Sequence, residues 1–185
     1  MDGSFPRHIG LSVAAAFASL LVGCSASPGS DNTIKTTTPS FEQFIGTDQF
    51  APGVHTFLEN QCATLDCHGV IGRPFRLYSP TGLRLPNDAG LIAGGGSQTP
   101  AELLANYLST VEIEPEEMSA VVEGKASPQN LLLVKKPMGL ERHKGGTRIL
   151  ADDAQFKCLT TWLTSMAPNA PMFDQASCAA AAALK

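Results

Sequence analysis

The residues with the clearest chemistry are two cysteines and a histidine in the segment 62–69, which reads CATLDCHG. Two cysteines with a histidine directly after the second are the attachment pattern of c-type haem, in which two residues usually separate the cysteines. There the two thiols form thioether bonds with the haem vinyl groups, and the histidine imidazole is an axial ligand of the iron. The pattern therefore predicts haem c held by Cys62, Cys67 and His68.

The spacing of the two cysteines departs from this pattern, because four residues separate Cys62 from Cys67. On a regular helix five steps turn the chain through about 500°, which is about 140° away from the starting face. The intervening residues must therefore bulge out if both thiols are to reach one haem edge. The alternatives are a local disulfide between the two cysteines, or another metal site such as zinc with ligands from Asp66, His55 or His143.

Four pieces of the chain together resemble the cytochrome-c-like domains of the planctomycete type, which often occur in lipoproteins. They span most of the predicted domain and are Phe57–Gly69, Ser127–Leu133, His143–Gly146 and Asp152–Leu163. The resemblance implies a mainly α, cytochrome-c-like helical domain with long irregular loops. With Cys62, Cys67 and His68, the chain is predicted to be a monohaem electron carrier, and a redox enzyme with an open sixth position on iron is a further alternative.

A sixth iron ligand is expected from the same resemblance, since such haems are usually held by His/Met or His/His pairs. The loop before the last predicted helix contains His143 and Met138. The resemblance favours His143 as the distal ligand, with Met138 as its alternative and Met118 or His55 as further ones. An open or water-ligated position is the remaining possibility.

The N-terminal segment has the features of an export signal, with Arg7 followed by an apolar run over residues 9–22. That run of 14 residues is shorter than the roughly 20 that span a bilayer. It ends in Leu21-Val22-Gly23-Cys24, which resembles the lipobox of bacterial lipoproteins. The resemblance implies a signal peptide over 1–23 and lipidation of Cys24, and Ser25 favours the outer membrane. The alternatives are a plain cleaved signal or an uncleaved anchor.

Export places the remaining cysteines in an oxidising compartment, where thiols tend to be paired or ligated. Cys158 and Cys178 lie 20 residues apart, one in the last predicted helix and one in the tail. If haem uses Cys62 and Cys67, these two form the only intramolecular pair left. Without haem, four cysteines allow three connectivities.

The elements that must position these residues are mainly helices. Residues 24–40 are predicted to be a lipidated cysteine and flexible tether, 41–172 a cytochrome-c-like domain, and 173–185 an Ala-rich tail. Helical patterns cover 51–61, the stretch after the Thr99 capping box, the stretch after Ser127-Pro128 and the stretch after Asp152-Asp153. The second of these helices carries Leu103, Leu104, Tyr107 and Leu108. Residues 75–85 are predicted to form a short strand or hairpin.

The charge balance narrows the range of partners. The chain carries 13 Lys and Arg against 17 Asp and Glu, a net charge of -4, which argues against nucleic acid. Residues 135–148 nevertheless hold five basic residues and only Glu141, a local excess of four. Such a patch either steers an acidic redox partner or is a solvated loop. The function predicted is a membrane-anchored monohaem electron carrier, and the alternative is a haem-free, disulfide-stapled interaction module of the envelope.

Overall fold

The computed structural model describes residues 36–48, 51–86 and 96–184, and these form a mainly α domain. Their elements, in chain order, are α1 Phe41–Ile45, β1 Gly46–Asp48, β2 Ala51–Pro52, α2 Val54–Cys62, α3 Pro100–Val111, α4 Pro115–Val122, a 3-10 turn Pro128–Asn130, α5 Leu132–Lys135, α6 Ala154–Thr164 and α7 Gln175–Ala182. The signal predicted over 1–23 and the lipidation of Cys24 lie outside the described residues, as does most of the tether. Among the described helices, none has the length and apolar character that a membrane span requires.

Local capping sets the starts of α3 and α6, as the sequence predicts. The backbone N–H of Glu102 donates to Thr99 Oγ1, and the Glu102 carboxylate accepts the backbone N–H of Thr99 in return. At α6, the Asp153 carboxylate accepts the backbone N–H of Phe156 at 2.8 Å and that of Leu150 at 2.8 Å. These bonds satisfy N–H groups that a helix start leaves unpaired. Both predicted caps are confirmed.

The start of α2 differs from the sequence-based prediction. The helical pattern begins at Ala51, but Ala51–Pro52 pairs antiparallel with Gly46–Asp48, and the helix starts only at Val54. A Cβ on Gly46 would lie 2.4 Å from the Ala51 carbonyl oxygen, so this close pairing requires glycine. The predicted helix start is therefore wrong by about one turn. Ala51 and Pro52, expected to open the helix, form a strand that pairs with Gly46–Asp48 instead. The strand or hairpin predicted over 75–85 is not formed as a named strand. The described residues there contain one isolated β-bridge, between Tyr78 and Leu83.

Helix α6 lies in the centre of the core. Leu159, Trp162 and Leu163 are fully buried, as the helical spacing predicts, whereas Met166 is 58% exposed. The Trp162 indole N–H donates to the Ser40 carbonyl at 2.8 Å, and its ring lies 5.4 Å from that of Phe44, centroid to centroid. Since a buried indole needs an acceptor for its N–H, this bond fixes the segment before α1 against the last helix of the predicted domain.

The C-terminal segment packs into the same core. Cys158 of α6 and Cys178 of α7 form a disulfide, the pairing that the sequence predicts when Cys62 and Cys67 serve another purpose. Cys178 and Ala181 are fully buried, and the Asn60 side-chain amide of α2 donates to the Ala182 carbonyl at 2.9 Å. The segment named an Ala-rich tail from composition thus contributes a packed helix, whose small side chains allow a close approach to α6.

The buried face of α3 combines apolar and polar side chains. Tyr107 and Val111 are buried together with Glu102, Asn106 and Thr110, whereas Leu104 and Leu108 are 48% and 39% exposed. The Glu102 carboxylate accepts two hydrogen bonds from the Arg84 guanidinium, at 2.7 and 3.0 Å. Asn106 bonds to both backbone groups of Tyr78, at 2.6 and 2.8 Å, and to the imidazole of His55 at 2.9 Å. Specific polar partners therefore decide which face of α3 turns inward, and they fix residues 76–79 beside the site described next.

Candidate functional site

The two cysteines of the predicted site flank a tight turn at the end of α2. Cys62 is the last residue of the helix, and residues 63–67 leave the helical path. The backbone N–H of His68 donates to the Cys62 carbonyl at 2.9 Å, and that of Cys67 donates to the Thr64 carbonyl at 3.0 Å. Cys62 and Cys67 are half-buried free thiols. The turn supplies the bulge that a four-residue spacing requires.

The carbonyl of Ala63 anchors this turn from three sides. It accepts a hydrogen bond from the Ser79 hydroxyl at 2.9 Å, and two glycines pack directly against it. A Cβ on Gly69 would lie 2.0 Å from this oxygen, and one on Gly82 would lie 2.2 Å from it. Both distances are far inside van der Waals contact, so neither position accepts a side chain without movement of the backbone.

His68 is held in one orientation. Its Nδ1 hydrogen-bonds the Phe75 carbonyl at 2.9 Å, and its own carbonyl accepts the backbone N–H of Leu77 at 2.8 Å. Because a carbonyl only accepts, Nδ1 carries the proton, and the lone pair of Nε2 is left for a metal ion. Burial is the largest cause that lowers the pKa of His68, with smaller contributions from His143 and Arg73 against the Phe75 bond. The imidazole is therefore neutral near pH 7, the form that binds metals.

A cavity of about 560 Å³ opens beside these residues. Its volume lies within the range of about 300–1,000 Å³ that is typical of small-molecule and cofactor sites. Cys62, Cys67, His68 and His143 all line it. Apolar side chains supply most of its remaining wall, among them Phe57, Leu58, Phe75, Ile113, Leu133 and Leu159.

His143 approaches His68 from the loop between α5 and α6. Its Nδ1 hydrogen-bonds the Gly146 carbonyl at 2.8 Å, which again leaves Nε2 without a protein partner in the described chain. The His143 and His68 rings are nearly parallel, at 11°, and their centroids are 6.2 Å apart. The structure therefore brings the two imidazoles to one cavity in a stacked arrangement, each with its Nδ1 bonded to a backbone carbonyl.

The other predicted ligands lie elsewhere. Met138 is half-buried against the core and does not line the cavity, and Met118 is 1% exposed within the core. His55 is also buried and bonded to Asn106, and burial lowers its pKa to about 4. The structure thus brings His143 to the Cys62–His68 turn and leaves Met138 away from it. In residues 36–48, 51–86 and 96–184, no group of three or more His, Cys, Asp or Glu side chains is arranged to hold a metal ion.

The cavity has mainly apolar walls, and most of its charged lining residues are basic. Burial, and next the neighbouring Cys67, raise the pKa of the Cys62 thiol to about 12, while Arg148 lowers it. Cys62 is therefore a protonated thiol at neutral pH. Five basic side chains line the cavity against one carboxylate, Asp66; they are Arg73, Lys136, Arg142, Lys144 and Arg148.

The sequence carries a signal for some of this site and none for the rest. The positive patch over 135–148 predicts four of the five cations, but Arg73 lies outside it. The glycines at 69 and 82 and the Phe75 carbonyl have no sequence signature of their own, because their roles depend on contacts between distant segments. The chain matches no family model, no curated protein and no solved structure. Fold and site therefore define a mainly α domain with a thiol- and imidazole-lined cavity.

Proposed function

We propose that this protein is a membrane-anchored, monohaem c-type electron carrier of the cell envelope, with a cytochrome-c-like domain. One observation carries the proposal: Cys62, Cys67, His68 and His143 line a single cavity, and the two imidazole rings are nearly parallel with centroids 6.2 Å apart. Haem c bound there supplies a one-electron iron couple. The apolar walls limit the access of water to such a group.

Each of the four residues has a distinct role in this proposal. The Cys62 and Cys67 thiols would hold haem c through thioether bonds, each formed by addition of S–H across a vinyl double bond. His68 would bind the iron through Nε2, since the Phe75 carbonyl holds the proton on Nδ1. His143 would supply the second imidazole, which the Gly146 carbonyl orients in the same way.

The location follows from the N-terminal sequence. Lipidation of Cys24 and the tether that follows it hold the domain at the membrane, with the outer membrane favoured by Ser25. The partner is then a larger redox protein of the envelope, which the positive residues of the 135–148 loop attract. Arg142, Lys144 and Arg148 of that loop are exposed in the structure.

Covalent haem attachment tests this proposal directly. We expect the full-length chain, coexpressed with a cytochrome c maturation system, to carry haem that survives SDS and to give a low-spin reduced spectrum. His68→Ala should abolish the low-spin spectrum and His143→Ala should alter it. Met138→Ala is the matched control in the same loop and should leave it unchanged. A folded product with no haem and a Cys62–Cys67 disulfide, identified by mass spectrometry, contradicts the proposal.

The alternative function is a haem-free envelope lipoprotein that acts as a structural or interaction module. The Cys158–Cys178 disulfide supports this alternative equally, because it staples α7 to the domain whether or not haem is present. Cys62 and Cys67 are both free thiols and line the same cavity. This alternative predicts a second disulfide between them and no visible chromophore. The same mass and absorption measurements therefore separate the two functions.

A further inference from the structure

Four cations that line the cavity have no carboxylate partner among the residues that the structure describes. They are Arg73, Arg142, Lys144 and Arg148, named here the cationic rim. In the described part of the chain, none of them forms an ion pair, whereas the neighbouring Lys136 lies 2.9 Å from the Glu141 carboxylate. The Arg148 Nε donates to the Gly145 carbonyl at 2.9 Å, which leaves its terminal N–H groups without a protein acceptor there.

The concentration of charge at this place is unusual for the molecule. The whole chain has a net charge of -4, yet four cations line one cavity in which Asp66 is the only carboxylate among the described lining residues. Like charges that gather in this way repel one another, and of the described lining residues Asp66 alone carries a charge that offsets this repulsion. An anionic ligand offsets it, since Arg and Lys form strong charge-assisted hydrogen bonds with carboxylates.

The same cavity has apolar walls. The rings of Phe57 and Phe75 and the aliphatic side chains of Leu58, Leu133 and Leu159 lie on the inside of the rim. A small inorganic anion would pair with the cations but leave the apolar walls in contact with water. A neutral apolar molecule would cover the walls but leave the cations without an anion. The ligand that satisfies both has an apolar body and carboxylate groups at one edge.

We infer that the cavity is a binding site for an apolar dicarboxylate of porphyrin type, whose carboxylates the cationic rim holds without any contribution from thioether bonds or iron. The identity of the natural ligand rests on the proposed function. The expected preference for a porphyrin with free carboxylates over its ester does not. The rim recognises the carboxylates, the walls bury the ring system, and Cys62 and Cys67 are needed only for permanent attachment. The inference is therefore open to a test with no metal and no maturation system.

The test uses the full chain, produced without haem attachment and kept reduced. It is titrated with metal-free protoporphyrin IX and with the dimethyl ester of the same porphyrin, whose carboxylates are blocked. Fluorescence of the porphyrin reports binding. We expect the dicarboxylate to bind at least about tenfold more tightly than the ester, the factor expected for charge-assisted contacts. High salt should reduce this ratio, because three of the four rim side chains, Arg142, Lys144 and Arg148, are exposed to solvent.

Two double variants with the same change in charge complete the test. Arg142→Gln/Arg148→Gln removes two of the four rim cations and should lower the ratio of dicarboxylate affinity to ester affinity. Lys125→Gln/Lys157→Gln removes two cations that do not line the cavity and should preserve the ratio. Circular dichroism checks that each variant is folded. Equal affinities of the wild-type chain for the two porphyrins, or equal effects of the two double variants, overturn the inference.

Failure of this inference is distinguishable from failure of the proposed function. If the chain acquires covalent haem but binds the two porphyrins equally, carboxylate binding by the cationic rim is rejected and the electron-carrier proposal stands. If the chain prefers the dicarboxylate but never acquires covalent haem, carboxylate binding stands and the electron-carrier proposal is rejected.

Discussion

Replacement of Gly69 by alanine is the sharpest test of how the turn builds the site. Gly69 directly follows His68, and the Cβ of an alanine there would lie 2.0 Å from the Ala63 carbonyl oxygen and 2.9 Å from that of Thr64. Ordinary van der Waals contact begins at 3.4 Å, so the backbone must shift by more than one ångström. That shift moves His68 away from the end of α2.

The expected loss of stability follows from two contributions. Inserting a methyl group into a packed site costs about 1–3 kcal/mol. The Gly69 N–H bond to the Thr64 carbonyl, 2.9 Å long, is lost with the shift and contributes about 0.5–1.5 kcal/mol. Gly69→Ala should therefore lower the free energy of unfolding by about 1.5–4.5 kcal/mol, a large share of the roughly 5–15 kcal/mol of a typical domain.

Gly72→Ala is the matched control, because it lies in the same loop but has open space around it. Its φ of +91° strains an alanine, whereas no heavy atom lies within 4 Å of the added Cβ. Left-handed backbone strain alone costs about 1–2 kcal/mol. Gly72→Ala should therefore be milder and should leave the geometry of the cysteines intact.

Two measurements decide between these expectations. Urea unfolding followed by circular dichroism gives the free energies of both variants. Alkylation followed by mass spectrometry of the peptides gives the labelling rate of Cys62, whose burial slows it in the wild type. Only Gly69→Ala should speed this labelling. If Gly69→Ala is no more destabilising than Gly72→Ala and leaves the Cys62 rate unchanged, the steric account of the turn is wrong.

Three further predictions concern the disulfide and the buried polar residues that stabilise the domain around the site. Cys178→Ser should lower the unfolding free energy by about 3 kcal/mol, the chain-entropy value for a 20-residue separation, as measured by urea unfolding with and without reductant. Glu102→Gln should cost about 1–3 kcal/mol, since a neutral amide replaces the buried carboxylate that accepts two hydrogen bonds from Arg84, and a thermal melt should show it. Burial lowers the pKa of His55 to about 4, so its contribution to stability is complete above pH 6.5 and decreases as the pH falls towards 4. The decrease is about 3 kcal/mol at 1.36 kcal/mol per pH unit, and it should be absent from His55→Gln in a series of unfolding curves across that range.

The sequence predicts those parts of the fold that neighbouring residues determine. The Thr99 capping box and the Asp153 cap mark their helices because each cap is completed within one turn of the chain. The buried face of α6 follows from its helical spacing for the same reason. The burial of Glu102 and Asn106 on α3 does not follow in this way. Their partners Arg84, Tyr78 and His55 lie in other segments of the chain, and the residue spacing within α3 carries no information about them.

The candidate site divides in the same way. Cys62, Cys67 and His68 are recognisable from adjacency alone, and the cavity they line also contains His143, the favoured distal candidate. Met138 was an equally local candidate, only five positions away, and the structure leaves it half-buried against the core. Spacing along a loop cannot separate the two, since the choice depends on which residue the turn at Gly145-Gly146 presents to the cavity.

The two imidazoles of the site are held by unequal means, and this bears on how the site works. His68 is fixed through Phe75 and Leu77, which belong to a segment that α3 holds by buried hydrogen bonds. His143 is fixed only within its own exposed loop, by the Gly146 carbonyl. Exposed contacts of this kind contribute little stability, whereas buried hydrogen bonds resist local opening. The His68 side of the cavity is therefore preorganised by buried contacts of the fold, whereas the His143 side rests on contacts within an exposed loop.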